Sequence, residues 1–143
     1  MTDVNQILLE AEEDLAIDYN GDLGKQTANQ MHLFSKWTKR LKKETYNLKL
    51  MNIKGERLQS SLWLYYTGKA EPDVYKNKPM HNRFLKSETK EAIANDNDWA
   101  KFKVELIKQE EIVDALERTV YQIKDRGWAI KNIIDWKKFM SGD

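Results

Sequence analysis

The 143-residue chain balances 24 Lys and Arg against 23 Asp and Glu, and it contains no cysteine, six Gly and two Pro. That length predicts one domain with a buried core, and so little Gly and Pro points to helices rather than a β-sandwich. The missing cysteine excludes disulfides and thiolate metal sites, and neither a secretory leader nor an apolar run of about 20 residues is present, so a soluble, cytosolic protein is expected.

Although the formal net charge is only +1, the charges are sorted along the chain. Residues 1–24 form an acidic N-terminal helix and turn with seven acids and no Lys or Arg. Asp3 is positioned to cap a short helix to about Ala16, in which Val4, Ile7, Leu8, Ala11 and Leu15 recur at helical spacing. Asp18 to Gly24, with its Asn20-Gly21 pair, supplies turn chemistry.

Residues 25–66 form the basic long helix, starting at about Gln26. Lys25 to Arg57 holds nine bases against Glu44 and Glu56, a net of +7, together with Phe34, Trp37 and Tyr46. Phe34, Trp37, Leu41, Glu44, Leu48, Met51, Gly55, Leu58, Leu62 and Tyr65 alternate by three and four, which makes one seam toward a partner helix. Gly55 on that seam marks a close backbone approach or a kink. Gly68 suits the left-handed residue after the last turn.

Residues 67–80, with Gly68, Pro72 and Pro79, read as a long loop. The helical C-terminal part spans 84–140: Ser87 caps a short helix to Ala94, and Asp98 caps the next. There Trp99, Phe102, Leu106, Gln109, Val113, Leu116, Val120, Ile123, Gly127, Ile130 and Ile134 repeat the heptad spacing. Gly127 either ends this helix or sits inside it. Two heptad helices separated by a loop predict an all-α antiparallel hairpin with a short N-terminal helix, and seams with apolar surface left over for oligomerisation.

Nothing in the chain predicts catalysis, a cofactor or a metal. Gly21-Asp22-Leu23-Gly24-Lys25-Gln26-Thr27 lacks both the spacing and the Ser or Thr after lysine that a phosphate loop needs. His32 and His81 stand alone, and Glu110, Glu111 and Asp114 read as a solvated helix face. The candidate binding surface is the basic stripe Lys36, Arg40, Lys43, Lys54 and Arg57 beside the apolar seam, widened by Lys39, Lys42 and Lys49. Cations along a helix match a phosphate backbone, and nearby aromatics can stack on unpaired bases. The competing reading is that the bases solubilise the helix while Trp37 and Tyr65 pack in the core.

Four stretches in order resemble the UvsY family of bacteriophage recombination mediators: Leu33-Phe34-Ser35-Lys36-Trp37, Leu64-Tyr65-Tyr66-Thr67-Gly68, Arg83-Phe84-Leu85-Lys86-Ser87-Glu88, and the run from Asp125 to Phe139 with its Arg126-Gly127-Trp128-Ala129-Ile130-Lys131 core. The likeness spans about residues 7–141. It implies a non-enzymatic factor of phage homologous recombination and repair that binds single-stranded DNA as a ring-like homo-oligomer. Such a factor helps load a RecA-like recombinase onto DNA covered by a single-strand-binding protein, and both proteins become expected partners, in the cytoplasm of the infected host. The family places a lysine and an arginine, linked to DNA, where this chain has Ser60 and Leu62. The DNA path is therefore expected to rest on the upstream stripe, or on Lys124, Arg126 and Lys131. Gly127, Trp128, Ala129, Ile130, Ile133, Ile134 and Trp136 are expected to form an assembly element. The alternative is a helical structural or adaptor protein that oligomerises without touching DNA.

Overall fold

The structure, a computed structural model, describes residues 3–142. They form α1 (Val4–Leu15), α2 (Leu23–Tyr66), α3 (Pro72–Asn77), a 3-10 turn at Lys86–Glu88, α4 (Thr89–Ala94) and α5 (Asn97–Ser141). No strand occurs among the described residues, so the all-α expectation holds.

Asp3 caps α1 as expected, its Oδ1 accepting from the Asn5 amide at 3.4 Å. α2 begins three residues before the expected Gln26, because the Asp22 carboxylate accepts from the Lys25 amide at 3.0 Å and so opens the helix ahead of Gly24. An acidic cap already occupies the place where a phosphate loop would hold its anion. At the far end Gly68 takes φ +77°, with Gly68 N–H donating to Tyr65 O and Lys69 N–H to Leu64 O. This paired closure satisfies the last carbonyls and needs the left-handed conformation that glycine adopts freely.

Three boundary expectations are corrected. The loop read across 67–80 contains α3, because Pro72 sits at the first helical position, where its missing N–H costs nothing. Ser87 does not cap α4: residues 86–88 turn as a 3-10 segment, and the Glu88 carboxylate accepts the Leu85 amide at 3.2 Å. The cap of α5 is Asp96 and not Asp98; its Oδ1 accepts from the Asp98 and Trp99 amides at 2.9 and 3.1 Å. Once begun, α5 runs unbroken through Gly127.

The chain divides into two compact units. The first combines the residues up to Tyr46 with those from Glu110 onward, and the second is Asn47–Gln109. In the first, α1 lies antiparallel to the start of α2, as the Glu10–Arg40 and Asp14–Lys36 pairs require. Ile7, Ala11, Leu33, Trp37, Ile112, Leu116 and Ile123 form its core. Trp37 is fully buried, and its indole N–H donates to Asp14 Oδ2 at 2.9 Å. Cutting such a side chain to Ala costs about 3–5 kcal/mol.

The second unit closes on Gly55 and on a cluster of tyrosines. A Cβ built on Gly55 would sit 2.6 Å from the Phe102 ring, so glycine permits the close approach rather than a kink. The Tyr65 and Tyr75 rings stack at 5.3 Å, and Phe84 meets Tyr66 edge-on at 5.4 Å. The Tyr66 hydroxyl donates to Asp96 Oδ2 at 2.6 Å, on a carboxylate that is almost wholly buried. Every position of both heptad seams is buried or half-buried.

Candidate nucleic-acid interface

The basic stripe on α2 is divided by what its neighbours carry. In the first unit, Lys36 Nζ lies 3.0 Å from Glu10 and 2.7 Å from Asp14, and Arg40 pairs with Glu10. Both cations also lie over the Trp37 ring, at 5.3 and 4.7 Å from its centroid. The Lys36 ammonium holds the Glu10 carboxyl below its ordinary value. Burial alone would lower Lys36, but the two carboxylates outweigh it and raise the ammonium above its ordinary value. The acidic leader thus neutralises the α1-facing edge of the stripe.

Lys39, Lys42 and Lys43 of the same stripe are exposed, with Tyr46 61% exposed beside them. Offsets of three, four and seven residues place these four side chains on one face. Among the described residues no acid interrupts that face between Lys39 and Lys43. In the second unit Lys49, Lys54 and Arg57 are likewise exposed, Ser60 is exposed and Leu62 is buried.

On α5, Lys124 and Lys131 are exposed, but Arg126 is turned inward and only 7% exposed. Its guanidinium donates to the Ala16 carbonyl at 3.2 and 3.3 Å and to Gln30 Oε1 at 2.8 Å. Burial pulls it below its ordinary value, and Asp14 acts in the opposite direction. Arg126, expected among the DNA contacts, is thus held inside the first unit by Ala16 and Gln30, as an internal latch. In the same way Ile130 is spent in the chain's own interior, and Gly127 faces Gln30, whose side-chain amide donates to the Ile123 carbonyl. Ala129, Ile133 and Ile134 are half-buried, so of the expected assembly residues only Trp128 and Trp136 stand clear of the surface.

His32 and His81 are exposed and belong to no metal-binding group, and no helix among the described residues is long and apolar enough to cross a membrane. The arrangement offers exposed cations beside an exposed ring, which suits a flexible polyanion with stackable bases.

Comparison with known proteins agrees with that chemistry. The family described as recombination, repair and ssDNA binding protein UvsY matches residues 10–143. The chain is 32% identical over 136 residues to the recombination protein uvsY of Enterobacteria phage T4, covering 93% of each. A crystal structure of the bacteriophage T4 recombination mediator protein UvsY (lattice type II) superposes with a TM-score of 0.87 at 25% identity, covering 99% of each chain. A second form (lattice type I) gives 0.83 at 26% identity, covering 94% of this chain and 98% of the other.

Proposed function

Because the chain belongs to the UvsY family of recombination, repair and single-stranded-DNA-binding proteins, we propose that it is a recombination mediator working on single-stranded DNA. In this reading it binds the strand as a ring-like homo-oligomer. It then helps a RecA-like recombinase displace the single-strand-binding protein that covers the DNA. The description of the T4 relative as a recombination mediator supports the loading role. An antiparallel course of α2 and α5 belongs to the same proposal. The Gln30–Ile123 and Gly55–Phe102 pairs, each inside its own unit, support it.

The observation that carries DNA binding is the uninterrupted exposed row Lys39, Lys42 and Lys43 beside Tyr46. Phosphates are neutralised by the lysines, and a base stacks on the phenol. Lys49, Lys54 and Arg57 are further candidates in the second unit. Lys36 and Arg40 contribute little while their charges are answered by Glu10 and Asp14. Repeated around an assembly, contacts that are weak singly sum to tight binding by avidity. Wrapping the strand over several protomers strains its hold on the covering protein.

Fluorescence anisotropy with an oligothymidylate across a salt series tests this reading. Lys42→Glu with Lys43→Glu should weaken binding and flatten the log–log salt slope by about 1.4, which is ~0.7 for each phosphate no longer neutralised. Tyr46→Ala should cost about 1–3 kcal/mol per stacked base with the slope little changed. Unchanged affinity in the double lysine variant would remove the row from the site. Absence of binding by the wild type at low salt would leave the adaptor reading.

A further inference from the structure

Two exposed surfaces of the first unit remain unused by the DNA row. On α5, Tyr121, Trp128 and Phe139 project from one face, Trp128 64% and Phe139 74% exposed, and Trp136 stacks on Phe139 at 5.9 Å. Lys124, Lys131 and Lys138, each seven residues from the next, line one flank of this aromatic ridge and are exposed. The second surface is the outward side of α1, where Leu8 is 52% and Leu9 65% exposed beside exposed Glu12 and Glu13. α1 itself contains no base, and Arg118 of α5 is a cation in the groove beside Leu8 and Glu12.

The ridge is poorly suited to a polyanion, because the exposed Asp125 and Asp135 stand among its lysines, in contrast to the acid-free row on α2. It is well suited to a protein surface that is both apolar and acidic. The α1 face has that composition, with a leucine strip against the aromatic strip and a carboxylate pair against the lysine row. The two patches do not overlap: α1 lies against Ala115, Arg118, Thr119 and Gln122 of α5, whereas Trp128 shares a groove with Met31 and Phe34 of α2. One protomer can therefore use both at once. Two different complementary patches on one molecule make a head-to-tail contact, which closes into a ring if the rotation allows it.

We propose that the α1 face of one protomer, Leu8, Leu9, Glu12 and Glu13, docks on the Trp128–Phe139 ridge and Lys131–Lys138 flank of a second copy. This rests on the homo-oligomer reading above and assigns it an interface of two unlike halves. Opposite charge fixes the partner and the register, and the apolar strips supply the burial.

The experiment is charge reversal with mixing, read by light scattering and sedimentation. Glu12→Lys with Glu13→Lys, and separately Lys131→Glu with Lys138→Glu, should each lose the assembled mass while keeping the wild-type helical circular dichroism. An equimolar mixture of the two variants should regain it, because each then presents one face that suits the other. An uncharged pair, Leu9→Ala and Phe139→Ala, should each raise the concentration for half-assembly at least tenfold, a readout that holds even if a reversed variant folds poorly. Full assembly of either charge-reversed variant alone overturns the interface while leaving the oligomer intact. Full assembly together with lost oligothymidylate binding in Lys131→Glu/Lys138→Glu overturns it in favour of nucleic acid on the ridge. A monomeric wild type at micromolar concentration removes the oligomer reading itself, and the interface with it.

Discussion

At the amino end of α5 the Asp96 carboxylate accepts from two backbone amides and the Tyr66 hydroxyl, with Lys78 Nζ 3.5 Å away. Burial alone would raise its pKa, but these donors outweigh it and hold the group below the usual carboxylate range. Burial, and then Asp96 itself, push the Tyr66 hydroxyl above its ordinary value, so it stays a proton donor. A carboxylate with a depressed folded value contributes stability in full above its unfolded value, and loses it as pH falls through the folded one. Stability should therefore decline as pH drops below about 4. Glu10, lowered chiefly by Lys36, adds to the same acid limb. Asp96→Asn should be less stable at neutral pH by about 1–3 kcal/mol and show a flatter acid limb. Denaturant unfolding between pH 3 and pH 7, with Glu10→Gln measured beside it, separates the two carboxylates; an unaltered acid limb in Asp96→Asn would contradict this assignment.

Among the elements, α1 has two working sides, an inner one that packs Ile7 and Ala11 and pairs with the α2 cations, and an outer one that carries Leu9 and Glu13. Replacing the inner pair, Glu10→Gln with Asp14→Asn, frees Lys36 and Arg40. DNA affinity at low salt should rise and the salt slope steepen by up to about 1.4, while stability falls because Trp37 loses its charged acceptor. Anisotropy alongside thermal unfolding checks both signs, and an unchanged slope would mean that the two cations never reach phosphate. The heptad seams of α2 and α5 were legible in the sequence because one periodicity governs both burial and spacing. α3 was not, since Pro72 stops a helix in most positions and starts one only at its first. The cap at Asp96 was hidden by Asp98, an equally good residue two positions later. Lys36, Arg40 and Arg126 looked like solvent-facing cations because their partners Glu10, Asp14 and Ala16 lie on another element, beyond any local spacing rule. Lys39, Lys42 and Lys43 are exposed, as their place on a charged helix suggests.

For the molecule as a whole, the proposed self-association would tie stability to concentration, because anything that binds only the folded form raises the unfolding midpoint. Raising the protein from about 1 µM to about 100 µM should lift the midpoint on the order of 5 °C, read by circular dichroism. A midpoint independent of concentration would contradict assembly in the folded state. The Arg126 latch bears on a different matter, the order in which the protein comes into being. It joins residues 110 apart, and Gln30 reaches Ile123 across 93. Such separations give part of this all-helical chain the non-local contacts that slow folding, unlike an ordinary local bundle. Residues 47–109 are contiguous, and their partners are all at hand once that stretch has left the ribosome. The N-terminal helices emerge first, but the core that joins Ile7, Ala11 and Trp37 is complete only once Ile112, Leu116 and Ile123 have been made.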